Sequence, residues 1–273
     1  MLTERGGSGM TAWDKFKMQN SEREKRALAP SYVLFASGGN DSIALVDYAN
    51  AKKLANVAVA YSNTGWASPS WPERIQRFQE YVEGLGFSFH EIPSEGFEGL
   101  VRRKKGFPAN RPKFCTYNLK ILPALNWLDA VDPARQATCM VGVRREESAA
   151  RREWPEFIEH SENHGGRPLW SPLVNLTQAT RNAILASIGW GALAHRSKEC
   201  SPCVNANRAD FRALEEADIA KVERMESEMN RSMFRVQRFH GAAGIREVMR
   251  WAWSDRGKYE APGSGCDSGM CGD

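Results

Sequence analysis

The chain has 273 residues, enough to bury a sizeable core in one large domain or in one domain with an appendage. With 42% hydrophobic and 26% charged residues, its composition excludes a disordered chain, a collagen-like fibre and a small disulfide scaffold. The net charge of +4, from 37 basic and 33 acidic side chains, is too small to imply nucleic-acid binding by itself. No apolar run approaches the ~18–20 residues of a membrane span, and the opening MLTERGGSGMTAWDKFK lacks the apolar centre of a signal peptide. A soluble, cytoplasmic chain with no membrane partner is therefore expected. In a reducing compartment its six cysteines read as ligands, nucleophiles or core residues rather than as bridges.

Residues 1–30 are polar, then charged, and read as an arm or short helix before the core. Tyr32–Ala36 is a short apolar run that suits a strand buried on both faces. Helical spacing follows over Ile43–Ala49, then a strand over Val57–Tyr61, a helix over Trp71–Leu85 and a strand over Phe87–Ile92. Between Arg102 and Lys120 stand seven basic residues and no acidic one, either a solvated loop or a positive rim around an anion. A helix over Leu119–Val131 leads to a strand at Thr138–Val143. Strands alternating with helices predict a doubly wound, mostly parallel α/β sheet. After about residue 175 the pattern turns helical, over Thr177–Ile188, Ala209–Glu228 and Ile245–Trp253. The expected organisation is an arm over 1–30, an α/β domain over 31–175, a helical extension over 176–258 and a flexible Gly/Ser-rich tail over 259–273.

The most informative stretch is Ser37-Gly38-Gly39-Asn40-Asp41-Ser42, where a buried strand turns into a helix. Glycines allow close backbone approach, and the helix start offers unpaired N–H groups and the positive end of its dipole, which together suit an anion. Asp41 suits a metal or a helix cap, and a plain turn capped by Asp41 or Ser42 is the bland alternative. The string lacks the Lys-Ser/Thr ending of a P-loop and the spacing of a dinucleotide fold. It resembles the SGGxDS loop of the PP-loop superfamily, the adenine-nucleotide α-hydrolase-like enzymes that include phosphoadenosine phosphosulfate (PAPS) reductases.

Further motifs agree in order. Asn63-Thr64-Gly65 stands where the family usually has Asp-Thr-Gly near the nucleoside. Gly142-Val-Arg144, continuing through Glu147-Ser148 to Arg151, resembles the family's GxRxxES..R signature, whose first arginine lies near the phosphates. Pro168–Leu173 resembles its PL..W segment. The resemblance covers residues 31–205 and implies a Rossmann-like fold. It also implies an adenine nucleotide, PAPS/APS or ATP, held by residues 37–42, 63–65, Gly142, Arg144 and Arg151. Two charges are missing: Asn40 replaces the loop's usual lysine and Asn63 the usual aspartate.

Cys200-Ser-Pro-Cys203 alone admits a redox pair, half a zinc site or part of an iron–sulfur site. Cys115-Thr-Tyr-Asn-Leu-Lys120-Ile-Leu-Pro123 resembles the C-T..LK..P segment of PAPS reductase-like and DNA-phosphorothioation enzymes. That resemblance implies a 4Fe-4S cluster on Cys115, Cys200 and Cys203, with Cys266, Cys271 or an open iron position as fourth site. Cys139 reads as core. The tail cysteines, Cys266 and Cys271, suit a mobile nucleophile like that of PAPS reductases, although the family's Glu-Cys-Gly-Leu-His ending is absent. Incidental cysteines in a disordered tail are the alternative. His90, His160, His164, His195 and His240 show no metal spacing.

Three functions follow. The first is thiol-dependent reduction of an adenylyl sulfate, with Asp41, Arg144 and Cys271 or Cys266 in the chemistry and a thioredoxin-like thiol donor as partner. The second is ATP- and Mg2+-dependent adenylation with sulfur transfer to an acceptor such as nucleic acid, contacted through Arg102–Lys120. The third is nucleotide binding without catalysis. A homo-oligomer is compatible with all three.

Overall fold

In the computed structural model, which describes residues 29–109, 113–234 and 243–254, a six-stranded sheet runs in the order β3-β2-β1-β4-β6-β5. The strands are β1 Tyr32–Ala36, β2 Val57–Ser62, β3 Ser88–Ile92, β4 Thr138–Val141, β5 Phe157–Ser161 and β6 Arg167–Trp170. All neighbours are parallel except β5, which runs antiparallel to β6. β1 sits centrally because its side chains are apolar on both faces. Leu34 and Ala36 pack with Ile43, Phe78 and Leu185, while Val33 and Phe35 pack with Ala124 and Leu128 on the other side. Full burial of each large side chain contributes roughly 1.5–3 kcal/mol.

The principal helices are α1 Asn40–Ala51, α2 Trp71–Gly84, α3 Phe97–Lys104, α4 Leu122–Val131, α5 Gln178–Ser187, α6 Arg208–Arg212, α7 Glu216–Met229 and α8 Ile245–Ala252; a helical turn at Phe114–Thr116 and a π-helical stretch over Tyr117–Ile121 lead into α4. α1, α2 and α5 cover one face of the sheet and α4 the other. A separate apolar cluster joins α3, α7 and α8 around Trp66, Phe211 and Phe234.

Three differences from the sequence pattern have physical reasons. β5 and β6 were not predicted, because FIEHS and RPLW carry too many polar residues and a proline to read as strands; β5 is the mostly exposed edge. The single helix expected over Ala209–Glu228 is two. Asn207 with Asp210, and Glu215 with Asp218, form capping boxes that start α6 and α7 separately. The basic stretch begins as the last turn of α3, where Arg102, Arg103 and Lys104 favour the negative end of the helix dipole. Arg102 pairs with Glu98 and Glu228, Arg103 pairs with Glu95, and Lys120 is buried. Among the described residues no helix is long and apolar enough to cross a membrane.

Candidate active site

The chain leaves β1 toward β2 on one side and returns to β4 on the other, so the carboxyl ends of β1 and β4 border a topological switch point. There β1 turns into α1. Gly38 has φ +72°, and a Cβ on it would stand 2.6 Å from Ile75 Cδ1, so the turn requires glycine. Gly142, just past β4, has a comparable role: a Cβ there would lie 2.9 Å from the Asp41 carbonyl oxygen. The missing side chain lets the end of β4 touch the first turn of α1.

Neither Asp41 nor Ser42 caps that helix. The N-cap is Gly39 and carries no side-chain bond. Ser42 Oγ accepts from the Ser37 amide at 2.9 Å, which fastens the turn to itself. Asn40, in place of the expected lysine, donates to the Leu193 carbonyl and accepts from the Leu193 amide, both at 2.9 Å. It pins the 193–197 segment to the turn, and Ser197 Oγ adds a bond to the Ser37 carbonyl at 3.3 Å.

Asp41 is completely buried, and its carboxylate is gripped by two arginines. Arg144 Nε donates to Oδ1 at 2.5 Å, and Arg181 Nη1, from α5, lies 3.1 Å from Oδ2. Glu146 stands 3.3 Å from Arg144 Nη1 and accepts from the Gln178 amide at the start of α5, at 2.5 Å. These groups border a cavity of about 1050 Å³ whose wall carries five arginines against four carboxylates. Ser148 also lines it, and its buried Oγ has no hydrogen-bond partner. A basic concavity of this size, at a switch point, suits an anionic ligand as large as a nucleotide.

Of the residues expected to hold a nucleotide, Asn40, Asp41 and Arg144 line this cavity. Ser37, Gly38, Gly39, Ser42, Asn63, Thr64, Gly65, Gly142 and Arg151 are not among its lining residues. Arg151 is buried in an ion pair with Glu147. Asn63 bonds Glu91 at 2.7 Å and accepts from the Gly65 amide at 2.8 Å. Thr64 instead faces the CxxC segment. Glu199, preceding Cys200, accepts from the Thr64 amide at 2.8 Å, from Thr64 Oγ1 at 2.9 Å and from the Tyr61 hydroxyl. Burial raises the Glu199 carboxyl above the usual range, against the hydrogen bonds from Tyr61 and Thr64 and the charge of Lys120.

Cys200 and Cys203 border a smaller hollow that shares His195, Arg196, Asp210 and Ala213 with the large cavity. Burial pushes the Cys200 thiol up to about 11, partly offset by Lys120. Cys115 and Cys203 both pack against the apolar cluster of α3, α7 and α8. Among the described residues, however, no three His, Cys, Asp or Glu side chains are placed to hold a metal ion. Cys266 and Cys271 lie outside the described residues. Cys139 is buried in the core, where its thiol is raised to about 12 by burial.

The sequence reading missed Arg181, Tyr61 and Glu199. Arg181 is an ordinary polar position of an amphipathic helix, and only folding brings it to Asp41. Glu199 had a weak local signal in its place beside Cys200.

Comparison with known proteins agrees with the motifs. The model of the phosphoadenosine phosphosulfate reductase domain matches residues 31–187, more than half of the chain. An uncharacterized 37.8 kDa protein in the gpa 5′ region of Escherichia phage 186 is 27% identical over 152 residues. That match covers 51% of this chain and 41% of the phage protein, so the chain spans about two fifths of that relative. Among solved structures, the PAPS reductase of Candida auris in a phosphate complex shares 15% identity at a TM-score of 0.44, over 68% of this chain and 91% of its own. The NMN synthetase of Francisella tularensis shares 13% at 0.45, over 86% and 92%. With its family model matched from β1 through α5, this chain belongs to the phosphoadenosine phosphosulfate reductase domain family.

Proposed function

We propose that the chain binds an adenine nucleotide in the cavity at the ends of β1 and β4 and reduces an adenylyl sulfate with thiols. One observation carries this reading: the cavity has the Arg144–Arg181 pair on one wall and shares another wall with the hollow around Cys200 and Cys203. Arginine beside the cavity favours a phosphate ester.

In the proposed reaction a thiolate, at Cys271 or Cys266 of the tail, attacks the sulfonyl sulfur. An S–S bond forms, the bond from sulfur to the bridging phosphate oxygen breaks, and its electron pair leaves with AMP or adenosine 3′,5′-bisphosphate. A second thiol, from a thioredoxin-like donor, then forms a disulfide and releases sulfite, so two thiols supply the two electrons. Arg144 and Arg181 hold the leaving phosphate and stabilise its charge.

The SGGxDS string favours a second reading, ATP- and Mg2+-dependent adenylation with sulfur transfer to an acceptor such as nucleic acid. Asp41 is less suited to a cation there, because both its oxygens already face arginine. A 4Fe-4S cluster is the finer proposal for the thiols. Iron in anaerobically purified protein, abolished by Cys200→Ala, tests it.

The deciding assay incubates the full chain with PAPS or APS and a dithiol, and separately with ATP and magnesium. Sulfite from the first supports reduction. Pyrophosphate from the second, without sulfite, replaces it with adenylation. Nucleotide binding with neither product overturns both in favour of a binding protein.

A further inference from the structure

Arg181 lies outside every motif that pointed to the nucleotide, yet it stands at the centre of the cavity's charge. Its side chain is buried, it lines the cavity, and its Nη1 is 3.3 and 3.1 Å from the two oxygens of Asp41. Arg144 reaches the same carboxylate from the end of β4. Two guanidinium groups therefore converge on one carboxylate beside open space, with Arg144 also 3.3 Å from Glu146 and 3.7 Å from Glu147. The remaining donors of Arg181, Nε and Nη2, bond only the side-chain oxygen of its own neighbour Asn182, at 3.1 and 2.9 Å.

That geometry differs from a purely structural pair. Arg167, also buried, has its donors fixed by Asp132, by Asp129 and by the carbonyl oxygens of Leu128, Asp132 and His164. Those main-chain acceptors do not move aside. Around Arg181 the acceptors are the side chains of Asp41, which lines the cavity, and of Asn182.

We infer that Arg181 is a phosphate-binding residue, and that Asp41 is the anion that occupies its place, and that of Arg144, while no ligand is bound. The inference rests on the nucleotide reading above and adds a residue and a ligand group to it. A phosphate entering the cavity takes over donors of both arginines, because a doubly charged oxyanion competes well for guanidinium forks. Asp41 keeps the arginines extended toward the cavity in the meantime, so little rearrangement accompanies binding.

The test is calorimetric titration of the full chain and of Arg181→Gln and Arg181→Lys with ATP, with adenosine 3′,5′-bisphosphate and with adenosine. Arg181→Gln leaves Asp41 paired with Arg144, which favours folding, and a thermal melt checks this. The expected result is a loss of about 10- to 100-fold in affinity for the phosphorylated ligands, with adenosine unchanged. Arg181→Lys, which keeps the charge but loses the fork, falls between the two and serves if Arg181→Gln does not fold. Unchanged affinity for the phosphorylated ligands, or equal loss for all three, assigns Arg181 to structure and overturns the inference while the nucleotide reading stands. If the unaltered chain binds none of the three, the nucleotide reading itself is overturned, and this inference with it.

Discussion

The sheet carries a buried arginine–aspartate cluster at each end, and the two clusters are built differently. At the amino end of the parallel strands, Arg167 and Asp132 are almost wholly inaccessible, and the Asp132 carboxylate also accepts from the amides of Gln136 and Ala137, both at 3.0 Å. At the carboxyl end, Arg144 and Arg181 share Asp41 beside a cavity of about 1050 Å³. The first is closed: one arginine, one principal carboxylate, and three backbone carbonyls with Asp129 for the other donors. The second joins two arginines on Asp41, with Glu146 3.3 Å and Glu147 3.7 Å from Arg144, and faces space. Burial and pairing are common to both, so neither marks a functional site. What distinguishes the open end is that its two arginines border room for a ligand.

The largest expected effect is at the closed end. Asp132→Asn leaves Arg167 without its principal buried partner and should cost about 3–5 kcal/mol, read as a lower midpoint in urea unfolding. Ligand affinity of the molecules that remain folded should be unaltered. A change in affinity larger than the loss of folded protein would erase the contrast between the two ends.

The same end should make the fold acid-sensitive. His164 is fully buried beside Arg167, bonded to Ser161 Oγ at 2.7 Å, and burial with the Arg167 charge lowers its pKa from 6.5 to about 4. The folded chain therefore keeps the ring neutral while the unfolded chain takes up a proton. This stability is complete above pH 6.5 and is lost as pH falls toward 4, about 3 kcal/mol in all. His164→Phe should flatten the pH dependence of the unfolding free energy in that window.

At the open end, Arg144→Gln should weaken binding of ATP or adenosine 3′,5′-bisphosphate by about 10- to 100-fold, measured by calorimetry. Its stability loss should be smaller than that of Asp132→Asn, because Asp41 retains Arg181. An intact affinity would mean that the Asp41 cluster is as closed as its counterpart. The smallest effect is local. Asn40→Ala removes both bonds to Leu193, and the Leu193 amide should exchange its hydrogen about tenfold faster while the rest of the sheet is unchanged.

Much of the α/β layer was legible before the structure. β1 and β2 are short, mostly apolar runs, a pattern that suits strands covered on both faces, and the helix between them keeps its spacing. β5 and β6 were hidden because FIEHS and RPLW carry no apolar periodicity. β5 gains its place from pairing with β6 and is mostly exposed.

The candidate site divides in the same way. The glycines and Asp41 of residues 37–42, with Gly142 and Arg144, are local signals, since a strand-to-helix turn and its close approach must be written in contiguous residues. The chain itself thus determined the family, the core strands and the turn. Only the tertiary structure decided which charges meet there. It brought Arg181 across 140 positions to Asp41, gave Asn40 a backbone partner at Leu193 and set Glu199 on Thr64. Electrostatic pairing acts through space, and no periodicity along the chain records it.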